Sequence, residues 1–246
     1  VPARGQRILM QTQPGFIHSG TDFFLTSAGL VGCETTIGNF SSFDTNGIPE
    51  FVRFHRASQD AKSLGEWSSI MRRGNNGGYA NAWLMADTKS GEIGKLELGL
   101  KNVNFTSTKD GYYFGANFPE DPKLAKEEAP YYRPTTTNSC ELRKVRWTQH
   151  LDADKGQVDA DAAKSYMADA LDSHGRPNGR EGALCGKSIP FSGAVNAKVL
   201  TSDLVSKMQF WARMGVPDGT EVPATEADST VFPQALRRYV IDIKAN

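Results

Sequence analysis

From Arg7 to Thr36 the apolar positions come in short runs broken by turn residues, as in an antiparallel sheet with tight connections. RILMQT at Arg7 to Thr12 predicts a strand, Pro14-Gly15 punctuates it, and DFFLT at Asp22 to Thr26 with Ser27-Ala28-Gly29 predicts a second strand and its turn. Leu30 to Thr36 makes a third. The period then lengthens. Pro49 stands at a first helical position, and Phe51, Phe54, His55 and Ser58 follow at spacings that put the aromatics on one face of a helix running to about Ala61. Ser63-Leu64-Gly65-Glu66 has the form of a capping box, and Leu64, Trp67, Ile70 and Met71 recur at helical spacing behind it. Gly74-Asn75-Asn76-Gly77-Gly78 cannot continue that helix.

Beyond this loop the pattern returns to strands at Tyr79 to Ala86, Gly94 to Leu100, Val103 to Thr108 and Tyr112 to Asn117, separated by Asp/Gly turns. Such closely spaced strands imply meander pairing. Asn138 to Leu151 reads as helix, as does Asp159 to Asp172, where Ala163, Tyr166, Met167, Ala170 and Leu171 form one stripe. Gly175 to Ile189 is loop-rich, Ala194 to Leu200 reads as strand, and Met208 to Met214 fits strand or helix. Pro217 to Ser229 reads as a surface loop, and Phe232 to Ile243 is a final apolar segment of either type. Strands in runs and helices in runs predict an α+β fold, and no composition shift marks a boundary, so residues 1–246 are expected to form a single domain.

Composition narrows the partners. With 28 basic and 28 acidic residues among 246, no summed field draws the chain to nucleic acid or to an anionic membrane surface. No apolar run approaches the ~20 residues that span a bilayer, so no transmembrane segment is expected. Three widely spaced cysteines, Cys33, Cys140 and Cys185, fit neither a disulfide framework nor a clustered zinc site. His55, His150 and His174 lack metal-site spacing. Gly74 to Gly78 lacks the Lys-Ser/Thr of a phosphate loop and follows a helix, not a strand. Two glycosylation triplets, Asn39-Phe40-Ser41 and Asn104-Phe105-Thr106, bear on a secretory setting alone.

The ordered run of PGF, DFFLT, a small-residue turn with GLV and ETTIGNF, spanning Gln13 to Phe40, resembles the phospholipase B-like proteins and the acyl-coenzyme A:penicillin acyltransferase-like hydrolases. Later segments continue the resemblance: Ile48 to Arg53, the helix containing Trp67, Gly77 to Asp87, Gly115 to Phe118, Asn138 to Arg143, and Gly193 to Gly215. It implies an N-terminal-nucleophile (Ntn) hydrolase with a four-layer αββα sandwich, two stacked antiparallel sheets flanked by helices. In such proteins an internal autoproteolytic cut exposes a cysteine whose own α-amine activates its thiol. This chain opens on Val1, so the nucleophile is expected upstream, in a missing N-terminal segment of the same precursor, and the fold is expected to be incomplete at its N-terminus. The resemblance implies no cofactor. A secreted, periplasmic or lysosome-like compartment stays open.

Acyl transfer needs a nucleophile, a base and donors aimed at the developing oxyanion. Asn117 at a strand end can donate to an oxyanion without titrating, or can equally be a turn-forming cap. Asn81, near the start of a strand, carries the same two readings. The resemblance implies that Arg143, with Ser139 before it, positions the nucleophile's amine or a neighbouring carboxylate. Arg146 is the alternative one turn on, and solvated helix charges are the plain reading of both. Glu34, Thr35 and Thr36 either line a substrate pocket or simply suit a strand. Cys33, inside an apolar strand, is expected to be a buried thiol. His18 and Cys33 carry no local signature of a cysteine protease dyad, and Asp22 suits a turn.

The expected function is therefore a hydrolase of acyl amide or lipid ester bonds, with a small-molecule acyl substrate and an acyl-enzyme intermediate, this chain alone being inactive. The alternative is a non-catalytic binding or structural module of the same fold. A free-standing enzyme using Cys33 is the third reading.

Overall fold

The computed structural model describes residues 3–12, 14–177, 182–185, 195–214, 216–219 and 238–242. They fall into two compact units, Val1–Arg133 and Pro134–Asn246.

In the first unit a six-stranded antiparallel meander runs in chain order: β1 (Ile8–Leu9), β2 (Phe23–Thr26), β3 (Leu30–Thr36), β4 (Asn81–Asp87), β5 (Glu92–Leu98) and β6 (Val103–Thr108). The expected strands at Leu30 to Thr36 and Val103 to Thr108 have these same bounds. Between β3 and β4 lie α1 (Glu50–Asp60) and α2 (Leu64–Arg72). Pro49 is the N-cap of α1, where a missing N–H costs nothing. Ser63 Oγ caps α2 by accepting from Glu66 N at 3.2 Å, while Glu66 Oε2 accepts from Lys62 N at 2.8 Å, one residue earlier than the capping-box pattern predicts.

The helices cover one face of the sheet. Phe24, Leu30, Trp83, Leu96 and Leu98 from the strands meet Phe54, Leu64, Trp67 and Met71 from the helices, all buried. Phe24 stacks on Trp67 at 5.2 Å, and Phe54 stacks on Trp83 at 5.2 Å. Gly32 belongs to this face because a Cβ there would lie 2.5 Å from the Phe24 ring. Side chains alternate along β3, so Leu30, Gly32, Glu34 and Thr36 look toward the helices and Val31, Cys33 and Thr35 look away.

The segment Tyr112 to Asn117, expected as a strand, has no ladder partner and crosses the far face of the sheet irregularly. Side chains hold it there. Lys95 Nζ donates to Phe114 O at 3.2 Å and pairs with Glu120 at 2.9 Å, and the Glu97 carboxylate accepts from the backbone N–H of Glu120 and Asp121 at 2.6 and 2.7 Å. A backbone satisfied by charged side chains needs no neighbouring strand. A short helix, α3 (Pro122–Glu127), follows, capped by Asp121.

The second unit contains α4 (Ser139–Ala153), α5 (Ala160–Met167), and α6 (Ser202–Ser206), with a three-stranded antiparallel sheet of β7 (Val195–Val199), β8 (Gln209–Met214) and β9 (Arg238–Asp242). Met208 to Met214, open between strand and helix from its sequence, is strand from Gln209. Asn138 and Asp159 cap α4 and α5. The stripe expected to continue to Asp172 stops at Met167, because Asp169 Oδ1 takes Leu171 N at 3.0 Å and turns the chain. Of the sequence expectations, Gln13, most of Gly175 to Ile189, Ala194, Gly215, and all but a few residues of Pro217 to Ser229 and Phe232 to Ile243 lie outside the described residues.

Candidate active site

The C-terminal end of β3 concentrates the polar side chains of the first unit. Glu34 and Thr36 project from it on the helix side, opposite Trp83 and Asn81 of β4. Tyr79, just before β4, reaches both: its hydroxyl donates to Glu34 Oε1 at 2.5 Å and lies 2.5 Å from Thr36 Oγ1. Burial, then the neighbouring Asp22 carboxylate, push the Glu34 carboxyl up to about 9; the bond from Tyr79 works in the other direction. Asp22 adopts a left-handed conformation, φ 54°, and its backbone O accepts from Glu34 N at 3.0 Å. Burial and Glu34 together raise the Tyr79 phenol.

Glu50, at the start of α1, closes this group from above. Its Oε1 faces Asn81 Nδ2 at 3.4 Å and its Oε2 lies 3.9 Å from His18 Nε2. Burial raises its carboxyl to about 7, against the pull of Arg53 and the Asn81 bond. Burial lowers His18, with Asp22 opposing, and its ring packs edge-on against Phe54 at 4.9 Å. Arg53 commits Nε to Ile48 O at 2.8 Å and Nη1 to Met71 O.

On the other side of the same strand end sits Asn117. Its backbone N–H donates to Thr35 Oγ1 at 2.8 Å, and its Nδ2 donates to Thr36 O at 2.9 Å. Its φ of 65° is left-handed, which asparagine tolerates better than most residues. Gly115 lets this segment lie flat on the sheet, since a Cβ there would stand 2.5 Å from Thr35 Cγ2. The structure thus joins four of the candidates read from sequence, Glu34, Thr35, Thr36 and Asn117, within one strand end, with Asn81 beside them.

Arg143 belongs to α4 in the second unit. There Nε donates to Ser139 O at 3.3 Å and Nη2 approaches Cys140 Sγ at 3.8 Å. Burial lowers its guanidinium, with Cys140 opposing. The alternative, Arg146, donates Nε to Asp169 Oδ2 at 2.5 Å, an oxygen that also lies 2.6 Å from His150 Nε2. Neither arginine is a solvated surface charge, because both are half-buried and engaged.

Cys33 differs from its expectation. It is exposed, not buried: Gly32 faces the core, so the next residue on a pleated strand must face away. His18 packs on the helix side and Cys33 points to the other, which separates the two. Sequence reasoning also missed Tyr79 and Glu50 as members of the polar group. The signal was present in Tyr79-Ala80-Asn81, where alternation puts the phenol and the amide on one face. Among the described residues no group of three or more His, Cys, Asp or Glu could hold a metal ion, and no helix is long and apolar enough to cross a membrane.

The first unit is thus an α+β arrangement that gathers a carboxyl, a phenol, two threonines and an asparagine at one strand end. Residues 2–120 match the phospholipase B family model. The chain is 35% identical over 92 residues to phospholipase B-like 2 of Rattus norvegicus, covering 35% of this chain and 16% of that protein. It is 27% identical over 262 residues to phospholipase B-like 1 of Caenorhabditis elegans, covering 87% of this chain and 46% of that protein. Phospholipase B-like 1 of Bos taurus is 25% identical over 149 residues, 58% of this chain and 24% of that one. Over residues 2–120 the chain is phospholipase B-like, and it spans less than half the length of these curated relatives.

Proposed function

We propose that this chain is part of a hydrolase of acyl amide or ester bonds, within an αββα Ntn-hydrolase sandwich to which residues 1–246 contribute as one domain. The nucleophile is an N-terminal cysteine, exposed by autoproteolysis of a precursor that includes an upstream segment. Its sulfur bonds to the substrate carbonyl carbon, and the amine or alcohol leaves with the thiol proton. Water then cleaves the thioester, releasing the acid and restoring the thiol. Substrates are small acyl amides or lipid esters.

The observation that carries this reading is the mooring of Asn117 by both threonines of β3. The bond to Thr36 O sets the plane of the carboxamide, and a preorganised amide donor stabilises an oxyanion without titrating. In this assignment Glu34, Thr36 and Asn81 line the substrate pocket from the helix side of the strand end and Thr35 from the side of Asn117, and Arg143 positions the nucleophile's amine. The match of residues 2–120 to the phospholipase B family supports ester or amide hydrolysis as the reaction class.

The test begins with the upstream coding sequence. A cysteine at a cleavable junction, recovered as the mature N-terminus by protein sequencing, supports the mechanism, and Asn117→Ala in that mature protein should lower kcat by roughly 10²–10³-fold. An upstream segment with no Cys, Ser or Thr at any cleaved junction would favour the non-catalytic module instead.

A further inference from the structure

At the helix-facing side of the β3–β4 strand ends three buried acceptor atoms have no partner, and neither of the buried donors nearby, Trp83 Nε1 and Arg53 Nη2, is bonded to them. Asn81 is fully buried, and its Nδ2 faces Glu50 Oε1, which leaves Oδ1 buried without a partner. Glu34 gives Oε1 to Tyr79, and its Oε2 is buried with no N–H donor on it, the Asp22 carboxyl standing beside this side chain. His18 turns Nε2 to Glu50 and keeps Nδ1 buried and unpartnered. With the proton on the nitrogen that faces the carboxylate, Nδ1 is an acceptor.

These atoms belong to one neighbourhood. Thr36 and Asn81 are register partners, Glu34 stands two residues before Thr36 on the same face, and Asp22, Glu34 and Glu50 act on one another electrostatically. The titratable and charged groups facing it are Asp22 and His18 before and at the edge of β2, Glu34 of β3, Tyr79 before β4, and Glu50 and Arg53 of α1. The cation among them, Arg53, has turned two of its nitrogens to the carbonyls of Ile48 and Met71. Three carboxyls and three open acceptors suit a ligand that brings positive charge and N–H donors together. A metal ion does not fit, since no three of the described His, Cys, Asp and Glu residues are placed to hold one.

We propose that this cluster is a binding site for a primary ammonium group, with Glu34 Oε2, Asn81 Oδ1 and His18 Nδ1 accepting its three N–H bonds and Glu50 and Asp22 supplying charge. His18, Asp22, Glu34 and Tyr79 are only half-buried, so the cluster borders solvent at the strand ends while its three acceptor atoms are themselves buried. The site stands on these contacts and not on the proposed hydrolysis.

Without ligand, Glu34 and Glu50 hold protons to higher pH than ordinary carboxyls. An ammonium favours their ionised forms, so its entry expels protons and its affinity rises from pH 6 to pH 8. The source of the ammonium is a small polar amine or a lysine side chain.

Isothermal titration of this chain with ethanolamine, Nα-acetyl-lysine amide and choline, at pH 6 and pH 8 in two buffers of different ionisation enthalpy, tests the site. Choline carries the same charge as ethanolamine and no N–H donor. Saturable binding of ethanolamine or of the lysine amide, with proton release and choline silent, is expected, and the tighter of the two identifies the source. Glu34→Gln should weaken it at least about tenfold, the loss of one charged hydrogen bond. The proposal is overturned by choline binding as tightly as the amines, by no saturation with either amine, or by unchanged affinity in Glu34→Gln.

Discussion

Tyr79 and Glu34, 45 positions apart in the chain, are joined by a 2.5 Å hydrogen bond at the end of β3. The bond holds a carboxyl that burial and Asp22 keep protonated far above its ordinary 4.5. A raised carboxyl binds more protons in the folded chain than in the unfolded one. Its contribution is therefore full below 4.5 and is lost as pH rises through the folded value. Glu50 adds the same sign with a folded value of about 7, and Glu34 with about 9.

Thermal melts of the chain should accordingly show this contribution falling between about pH 5 and pH 9. Glu34→Gln, which cannot ionise, should flatten the upper part of that slope, from pH 7 to pH 9, relative to wild type. A slope identical in the variant would mean that Glu34 ionises normally.

Trp67 is the central side chain of the sheet–helix interface, 5.2 Å from Phe24 and 5.0 Å from Trp83. Trp67→Ala should cost about 3–5 kcal/mol in urea denaturation, through lost burial and a residual cavity. Its indole N–H is buried without a partner, so Trp67→Phe, which removes that polar group, should cost much less.

Gly115 and Thr35 are tightly opposed, and the Thr35 hydroxyl also holds Asn117. Gly115→Ala should lower stability by about 1–3 kcal/mol, the penalty of overpacking. Thr35→Ser removes the crowding methyl and keeps the hydroxyl. The double variant should then recover most of the loss, and a double-mutant cycle measures the coupling. Additive effects would show that the methyl is not what the new Cβ meets.

Cys33 and Cys185 should separate cleanly in thiol labelling, since the first is exposed and the second buried. Native protein should react with an aromatic disulfide reagent at Cys33 within minutes and at Cys185 only on unfolding, read by peptide mass spectrometry. Cys33→Ser should leave hydrolysis by the mature protein unchanged, because acyl transfer is assigned to another cysteine. Loss of activity in that variant would favour the reading in which Cys33 itself is the nucleophile.

Local chemistry made much of this fold legible. Strands β3 and β6 follow from their own alternation, and Ser63, Asn138 and Asp159 announce three helix starts because a cap is a contact within a few residues. The candidates Glu34, Thr35, Thr36 and Asn117 were likewise visible as an ordered set of motifs. Their convergence was not, since Asn117 meets Thr35 across 82 positions of sequence. Tyr112 to Asn117 has strand composition, yet its Asn117 N–H goes to Thr35 and its Phe114 carbonyl to Lys95, partners that no local pattern can supply.

By itself the sequence determined the α+β class and the strand and helix identities over most of the first unit, because propensity, capping and period act over a few residues at a time. Tertiary structure alone decided which face of β3 is covered, and therefore that Cys33 is exposed while Glu34 is sheltered. It also decided that Asp22, Glu34, Glu50 and Tyr79 share one low-dielectric neighbourhood, where burial and like charge hold protons on two carboxyls. Proton affinity depends on the groups brought close in space, and their separation along the chain does not encode it.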